Sequence, residues 1–324
     1  MPKQRLRRLP SSAINHGIAI LLLASVPVHA EENLWIYTKG TDTRPKGSFE
    51  LKISDIARIG KSSGDYAFHD IRPEFEYGIT DRLTVGFELM LFDHDYSVDD
   101  PELNPMYETQ QEHGGRFDKT QYAGYELSVK YNVLSPYKDA LGLSLGLGYE
   151  KREKYRLDGA DINQDSFVTT LLLQKNWLDN TLSWATNIKT EFERRHSPGV
   201  LEEEIAFDIS MGLAYRFAPK HFIGLEYRRQ QDHLSPFNTE IGEYDEPSLQ
   251  PSEFDLTNFR IGTRHQYGDY LGPSYHYAEK NWWLTTGILW QIGGGGSQFA
   301  FVKNGKNFDE HEKVHIGFSY GYEF

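Results

Sequence analysis

The sequence predicts an all-β protein: a transmembrane, antiparallel, up-and-down β-barrel of about twelve strands, preceded by a cleaved signal peptide. Three observations support this prediction. They are an export signal at the N-terminus, long segments in which apolar and polar residues alternate, and connections that alternate between short and long. Such a chain is exported and crosses the membrane with strands, whose mean hydropathy is low because the two faces average out.

The first 30 residues have the parts of an export signal. Bases at positions 3, 5, 7 and 8 precede an apolar run at 18–28. Val28 and Ala30 place small residues at the −3 and −1 positions, so we expect cleavage before Glu31. The apolar run is shorter than the ~20 residues of a bilayer-spanning helix that could anchor the chain in a membrane.

Composition restricts the partners of the mature chain. Four of the 34 bases lie in the signal, so 30 bases stand against 47 acids and the formal charge is −17. Nucleic-acid binding requires a basic surface, so no nucleic-acid partner is expected. The chain has no cysteine and therefore no disulfide. Its 20 Tyr, 19 Phe and 6 Trp suit the aromatic girdles of a membrane barrel.

Alternation with a period of two identifies the strands, because successive side chains of a strand point to opposite faces. The clearest case is 205–217, which is longer than the ~9–11 residues that a tilted membrane strand needs. One face is apolar and the other is small, polar or charged. The apolar face consists of Ile205, Phe207, Ile209, Met211, Leu213, Tyr215 and Phe217.

This pattern recurs along the chain and sets the predicted domains: a signal peptide at 1–30, a periplasmic N-terminal segment at 31–45 and the barrel at 46–324. The segment 254–265 is either the start of the tenth strand or part of the loop before it. The predicted strands are 47–59, 66–78, 82–94, 119–133, 140–152, 165–176, 181–194, 203–217, 222–232, 266–278, 282–292 and 313–324.

The connections indicate the orientation. Turns such as 79–81 and 218–221 are short, whereas loops such as 95–118, 233–265 and 293–312 are long. Bacterial barrels have short periplasmic turns and longer outer loops, so both termini are expected in the periplasm of a Gram-negative cell. The aromatic face that closes the chain resembles the C-terminal signal read by the barrel-assembly machinery: Tyr320, Tyr322 and Phe324.

Several stretches resemble an uncharacterised family of Gram-negative outer-membrane β-barrel proteins of similar length. They are Arg44-Pro-Lys-Gly47, the segment 63–83, Tyr270-Leu-Gly-Pro-Ser-Tyr-His-Tyr277 and Trp282-Trp-Leu-Thr285. More loosely, the chain is similar to barrels linked to the uptake of aromatic compounds. The resemblance implies a barrel in the bacterial outer membrane and supplies no functional residues.

The inward faces of the predicted strands carry many charges. They predict either a channel lining that selects solutes or a salt-bridged plug. Twelve strands lie between the eight that leave room only for side chains or one small ligand and the 16–18 that leave an aqueous pore, so both alternatives stay open. The candidates are Asp70, Arg72, Glu74, Glu76, Glu88, Glu126, Lys130, Glu150, Lys189, Glu191, Asp208, Arg216, Glu226 and Arg228.

Three functions are therefore compatible with the sequence: a passive channel for small solutes, a structural or surface-interaction barrel, and a lipid hydrolase. The hydrolase hypothesis rests only on His233 and Ser235 near the predicted outer rim, and no catalytic residue is assigned. No spaced metal-ligand pattern occurs, so neither a metal nor a cofactor is expected. The expected partners are membrane lipid, lipopolysaccharide, the assembly machinery and a small solute.

Overall fold

The computed structural model describes residues 33–197, 200–238, 243–244, 264–296 and 302–324. The predicted signal peptide at 1–30 lies outside these residues, as does most of the ambiguous segment 254–265. The rest of that segment, Arg264 and His265, begins a strand. Within the described residues no helix has the length and apolar character needed to cross a membrane.

Twelve strands form one closed antiparallel sheet, which confirms the predicted barrel. Each strand pairs with the next along the chain, and the last pairs with the first. The barrel strands are β1 Phe49–Ile59, β2 Asp65–Thr80, β3 Leu83–Ser97, β4 Phe117–Leu134, β5 Gly142–Lys154, β6 Asp161–Trp177, β7 Leu182–Ser197, β8 Val200–Ala218, β9 His221–Asn238, β10 Arg264–Ala278, β11 Trp282–Gly296 and β12 Val314–Glu323.

The seam between β1 and β12 is continuous. Ten residues of β1 pair with ten of β12, from Glu50 opposite Glu323 to Ile59 opposite Val314. The ring of Phe49 stacks on that of Phe324, with 4.5 Å between the centroids. Each of the twelve barrel strands therefore pairs on both sides, which a membrane barrel requires because lipid cannot hydrogen-bond the backbone.

The two faces of the sheet differ as the alternation predicted. On β8, Leu213, Tyr215 and Phe217 point outward and are about half exposed, whereas Ser210 points inward and is buried. The terminal aromatic residues Tyr320, Tyr322 and Phe324 also lie on the outward face. An apolar outer surface on a closed barrel faces hydrocarbon.

The strands extend further than predicted at the end where the long loops lie, which we call the long-loop end. β3 reaches Ser97 and β9 reaches Asn238. Here polar side chains also occupy the outward face and pair across strands, as Arg194 of β7 does with Glu203 of β8 at 4.0 Å. The alternation of apolar and polar residues therefore ends before the backbone hydrogen bonding between the strands does.

Two predicted outer loops contain regular structure. The loop between β3 and β4 holds the short helix α1, Met106–Glu112, and it covers inward-facing apolar residues of β2 and β3, including Phe68, Met90 and Phe92. In the loop predicted at 293–312, Gly293 to Gly296 continue β11. Val302–Lys303 and Lys306–Asn307 then form a small hairpin.

A substitution on the outward face tests the assignment of that face to lipid. Leu213→Arg should lower the free energy of unfolding by about 2–4 kcal/mol, because Leu213 lies midway along the outward apolar band. Urea unfolding in phospholipid vesicles measures this cost. Leu178→Arg, the same change in an exposed short turn, should cost little. Equal costs at the two positions would contradict the assignment.

Candidate functional site: the charged lumen

The inward faces of the strands enclose a cavity of about 310 Å³. Ten carboxylates and nine Lys or Arg side chains line it. Twelve of the fourteen residues predicted to face the lumen are among them: Asp70, Arg72, Glu74, Glu76, Glu88, Glu126, Lys130, Glu150, Lys189, Glu191, Asp208 and Arg228.

The other two predicted residues lie elsewhere. Glu226 is buried behind a segment that crosses the lumen and hydrogen-bonds to it. Arg216 lies at the end of the barrel where the turns are short, which we call the short-turn end. Its Nη2 donates to the carbonyl oxygen of Asp179 at 3.2 Å. The alternation predicted that both side chains point inward. Alternation alone cannot show which inward-pointing side chains line the cavity.

The segment that crosses the lumen consists of residues 33–44, and we call it the belt. The sequence placed residues 31–45 in the periplasm ahead of the barrel. In the structure residues 33–44 lie inside the barrel near the short-turn end, in contact with inward-facing residues of all twelve strands. The segment lies inside the barrel and not ahead of it because side chains in the lumen supply hydrogen-bond partners for the polar backbone groups of the belt.

Glu226 of β9 is the first of these partners. Its carboxylate accepts the backbone N–H groups of Ile36, Tyr37 and Thr38 at 3.0, 2.9 and 2.6 Å, and the Thr38 hydroxyl at 2.8 Å. Buried backbone groups must be paired. One side chain therefore satisfies three successive donors that a neighbouring strand would otherwise satisfy.

Amide side chains continue this function around the wall. Asn187 accepts the N–H of Lys39 at 2.6 Å and donates to its carbonyl oxygen at 2.8 Å. Gln174 accepts the N–H of Thr41 at 2.7 Å, and Asn132 donates to the Thr41 carbonyl oxygen at 2.9 Å. The belt is thus held by side chains from successive strands and not by a backbone ladder.

Glycines on four strands provide space for two belt side chains. A Cβ added at Gly212 would lie 2.2 Å from the ring of Trp35, and one at Gly224 would lie 2.9 Å from it. Ile36 occupies the corresponding space at Gly317 and Gly287, where an added Cβ would lie 2.5 and 3.1 Å from its Cγ2. The wall and the belt are therefore complementary in shape as well as in hydrogen bonding.

The belt ends in a clamp across the barrel seam. Arg44 lies 3.1 Å from Glu50 of β1, 3.4 Å from Glu76 of β2 and 2.5 Å from Glu323 of β12. Trp283 of β11 donates to Glu50 at 2.8 Å. One guanidinium group thereby connects the first, second and last strands of the barrel.

Four glutamates form a row across neighbouring strands on the inward face. Glu74 pairs in register with Glu88, Glu88 with Glu126, and Glu126 with Glu150. We call these residues the acidic row. Like charges directly opposite one another destabilise a sheet, so the row requires compensation from cations.

Cations within the lumen supply this compensation. Nη1 of Arg72 lies 2.8 Å from Glu88 and 3.9 Å from both Glu126 and Glu150. Lys52 forms an ion pair with Glu74. Near the belt, Arg228 pairs with Asp208 at 2.5 Å, and its guanidinium lies over the ring of Tyr37 at 3.8 Å.

The long-loop end of the lumen is also occupied. Residues 155–158 reach inward, and His94 donates from Nε2 to the carbonyl oxygen of Arg156 at 2.9 Å. Residues 307–312 enter from the opposite wall, where Tyr270 donates to the carbonyl oxygen of Glu312 at 3.0 Å. A smaller cavity of about 40 Å³ lies between these two segments.

Other candidate sites have less support. Among the described residues, no three His, Asp or Glu side chains are arranged to hold a metal ion. His233 lies on the outward face, where Phe207 and His265 contact its ring. The side chain of Ser235 lies outside the described residues.

The model of a family of unknown function, DUF6662, matches residues 27–324. The chain belongs to this family. The match includes the belt together with all twelve strands. No curated protein sequence matches the chain.

Solved structures with a similar fold are outer-membrane barrels. The COG4313 outer membrane channel from Pseudomonas putida F1 has a TM-score of 0.56 and 11% identity, over 88% of this chain and 98% of that chain. The KdgM porin in complex with oligogalacturonate has a TM-score of 0.41 and 11% identity, over 86% and 99%. The NanC porin has a TM-score of 0.44 and 9% identity, over 84% and 98%. At these identities the similarity is one of fold.

Gly212→Ala tests the fit between belt and wall. The added methyl group meets Trp35, so the free energy of unfolding should fall by about 1–3 kcal/mol. In a Trp35→Ala background the same change should cost little, and denaturant titration of the four proteins of this cycle measures the difference. Gly146→Ala, where the nearest atom lies 3.2 Å away in Thr170, serves as the control. An equal cost in both backgrounds would show that Trp35 does not occupy this space.

Proposed function

We propose that this family member resides in the bacterial outer membrane and conducts small polar solutes, with a preference for cations, through a narrow lumen that widens when the belt moves. The observation that supports the proposal most directly is the cavity of about 310 Å³ with nineteen Asp, Glu, Lys and Arg side chains on its wall. Charged side chains facing a lumen are how channels select their solutes.

The chemistry of the cavity wall favours transport over simple filling. Replacing buried ion pairs by apolar residues of similar volume is often neutral or stabilising, so a purely structural plug needs no charges. The long-loop end shows how a lumen is filled without charges: a buried apolar cluster packs there, which includes Phe68, Met90, Phe92 and Tyr96. Apolar packing therefore closes one part of the barrel, whereas the middle of the lumen keeps its charges and its open volume.

The size of the cavity sets the class of solute. A cavity of about 310 Å³ lies at the lower end of the range of small-molecule pockets, about 300–1,000 Å³. A single small metabolite fits this volume, whereas an oligosaccharide or a folded peptide does not. The acidic row, with its four carboxylates on neighbouring strands, gives the path its preference for cations.

The orientation and assembly of the barrel follow from the same proposal. The short turns lie in the periplasm and the long loops outside the cell. Tyr320, Tyr322 and Phe324 present the aromatic face that the barrel-assembly machinery reads. Acidic side chains of the long loops contact lipopolysaccharide through divalent cations.

A barrel that does not transport is the second candidate. It is favoured by the contacts of the belt with every strand and by the entry of residues 307–312 into the lumen. In that case the ion pairs would only rigidify the protein. Conductance distinguishes the two candidates, because a permanently filled lumen passes no current whether or not the belt is free to move.

A disulfide between belt and wall tests the channel. An added Cβ at Gly287 would lie 3.1 Å from Cγ2 of Ile36, so Ile36→Cys with Gly287→Cys places two sulfur atoms within bridging distance. The native chain has no cysteine to interfere. In planar bilayers we expect a small current that falls severalfold on oxidation and recovers on reduction. A salt gradient should give a reversal potential of cation-selective sign.

Ile36→Ser with Gly287→Ser is the matched control, since it has similar bulk and cannot form a bridge. Its current should not respond to oxidant. Absence of current in the parent, in the reduced cysteine variant and in the serine variant would contradict the channel and leave the filled barrel as the better account.

A further inference from the structure

Two segments enter the lumen from opposite ends. The belt occupies the short-turn end, and residues 307–312, which we call the inner loop, occupy the long-loop end. Gln291 of β11 holds the inner loop by accepting the N–H of Asn307 at 2.8 Å and donating to its carbonyl oxygen at 2.7 Å. The two segments approach one another along β12, at His315.

A chain of side-chain contacts joins the two segments there. Nζ of Lys61 lies 2.9 Å from Oε1 of Glu312, and Oε2 of Glu312 lies 3.2 Å from Nε2 of His315. Nδ1 of His315 in turn lies 2.8 Å from the hydroxyl oxygen of Tyr37. We call these four residues the relay. It starts in the loop between β1 and β2, passes through the inner loop and β12, and ends on the belt.

The relay lies in the interior of the protein. Lys61 and His315 are fully buried, and Glu312 is 4% exposed. Burial opposes the ionised form of Glu312, but Lys61 and the hydrogen bond from His315 lower its pKa well below the usual value. A buried charge that loses its partner is strongly destabilised, so each contact of the relay depends on its neighbour.

Tyr270 fixes the geometry at the centre. Its ring stacks on His315 with 4.1 Å between the centroids. Its hydroxyl donates to the Glu312 carbonyl oxygen at 3.0 Å and accepts the Glu312 N–H at 3.2 Å. His315 is therefore held between Glu312 and Tyr37, and the ring cannot reorient without disturbing one of them.

We propose that the inner loop and the belt form one coupled closure of the lumen, in which release of either segment loosens the other through the relay. When Glu312 leaves its site, His315 loses its acceptor and Tyr37 loses a fixed partner. Coupling between two sites is reciprocal, so release of the belt must also loosen the inner loop. The proposal concerns motion and does not require that the barrel conduct.

Cysteine labelling measures the coupling without any use of conductance. Thr41→Cys reports on the belt and Asp309→Cys on the inner loop, since both residues are buried and the native chain has no cysteine. The readout is the rate of reaction with a water-soluble maleimide in folded protein. Folding is checked by the different gel mobilities of folded and unfolded barrel.

Breaking the relay at the inner loop should free the belt. Glu312→Gln is expected to raise the labelling rate of Thr41→Cys at least tenfold, and in a Tyr37→Phe background it should give no further rise. Glu226→Gln, which releases the belt, should raise labelling of Asp309→Cys. Glu150→Gln is the matched control, because Glu150 is equally buried in the lumen and pairs with Arg152 outside the relay. It should change neither rate.

Two results would overturn the proposal. In the first, Glu226→Gln raises labelling of Thr41→Cys while Glu312→Gln leaves it at the parent rate, so that the belt moves independently of the inner loop. In the second, Glu150→Gln raises both rates as much as Glu312→Gln does. If Glu312→Gln does not fold, Tyr37→Phe removes one hydroxyl from the same relay and should raise labelling of Asp309→Cys severalfold; an unchanged rate there would also overturn the coupling.

Discussion

The hydrogen bonds between Glu226 and the belt backbone are the interaction on which the arrangement of the lumen depends. An extended segment inside a barrel has polar groups that no neighbouring strand can pair, and leaving them unpaired is costly. Glu226 accepts three successive N–H groups, and Asn187 and Gln174 continue the pairing around the wall. Because the belt is held in this way, the remaining volume is narrow and lined by charge.

The long-loop end and the middle of the lumen are built from different chemistry. At the long-loop end, the inward faces of β2 and β3 carry Phe68, Met90 and Phe92 beneath the loop that contains α1. In the middle, Arg72 and Lys52 form ion pairs with the four glutamates of the acidic row. Apolar packing excludes water, whereas charged side chains retain it. The division explains how one closed sheet combines a rigid end with a polar cavity.

The fold could be predicted from the sequence because membrane strands alternate with a fixed period. On β8, the alternation from Ile205 to Phe217 gave both the strand and its outward face. The strand ends were less predictable, since β7 and β8 continue through Arg194 and Glu203, where the outward face is polar. The period-two pattern shows where the outer surface meets hydrocarbon. It does not show how far the backbone hydrogen bonds between strands continue.

The lumen was only partly predictable for a different reason. The alternation along each strand predicted that residues such as Glu74 and Glu126 point inward. It carries no information about what lies opposite them in the lumen. The belt has no alternation of its own, and its partners are as much as 279 positions away in the sequence. A signal did exist in the small residues Gly212 and Gly317, which make room for Trp35 and Ile36. Their function becomes clear only when the strands are closed into a barrel.

Hydrogen–deuterium exchange at the amides of Ile36, Tyr37 and Thr38, measured in the protein in lipid nanodiscs, tests the docking of the belt most directly. If Glu226 holds these groups inside the barrel, they should exchange as slowly as amides of the neighbouring strands. Exchange as fast as that of an unstructured peptide would place the segment outside the lumen and contradict the account.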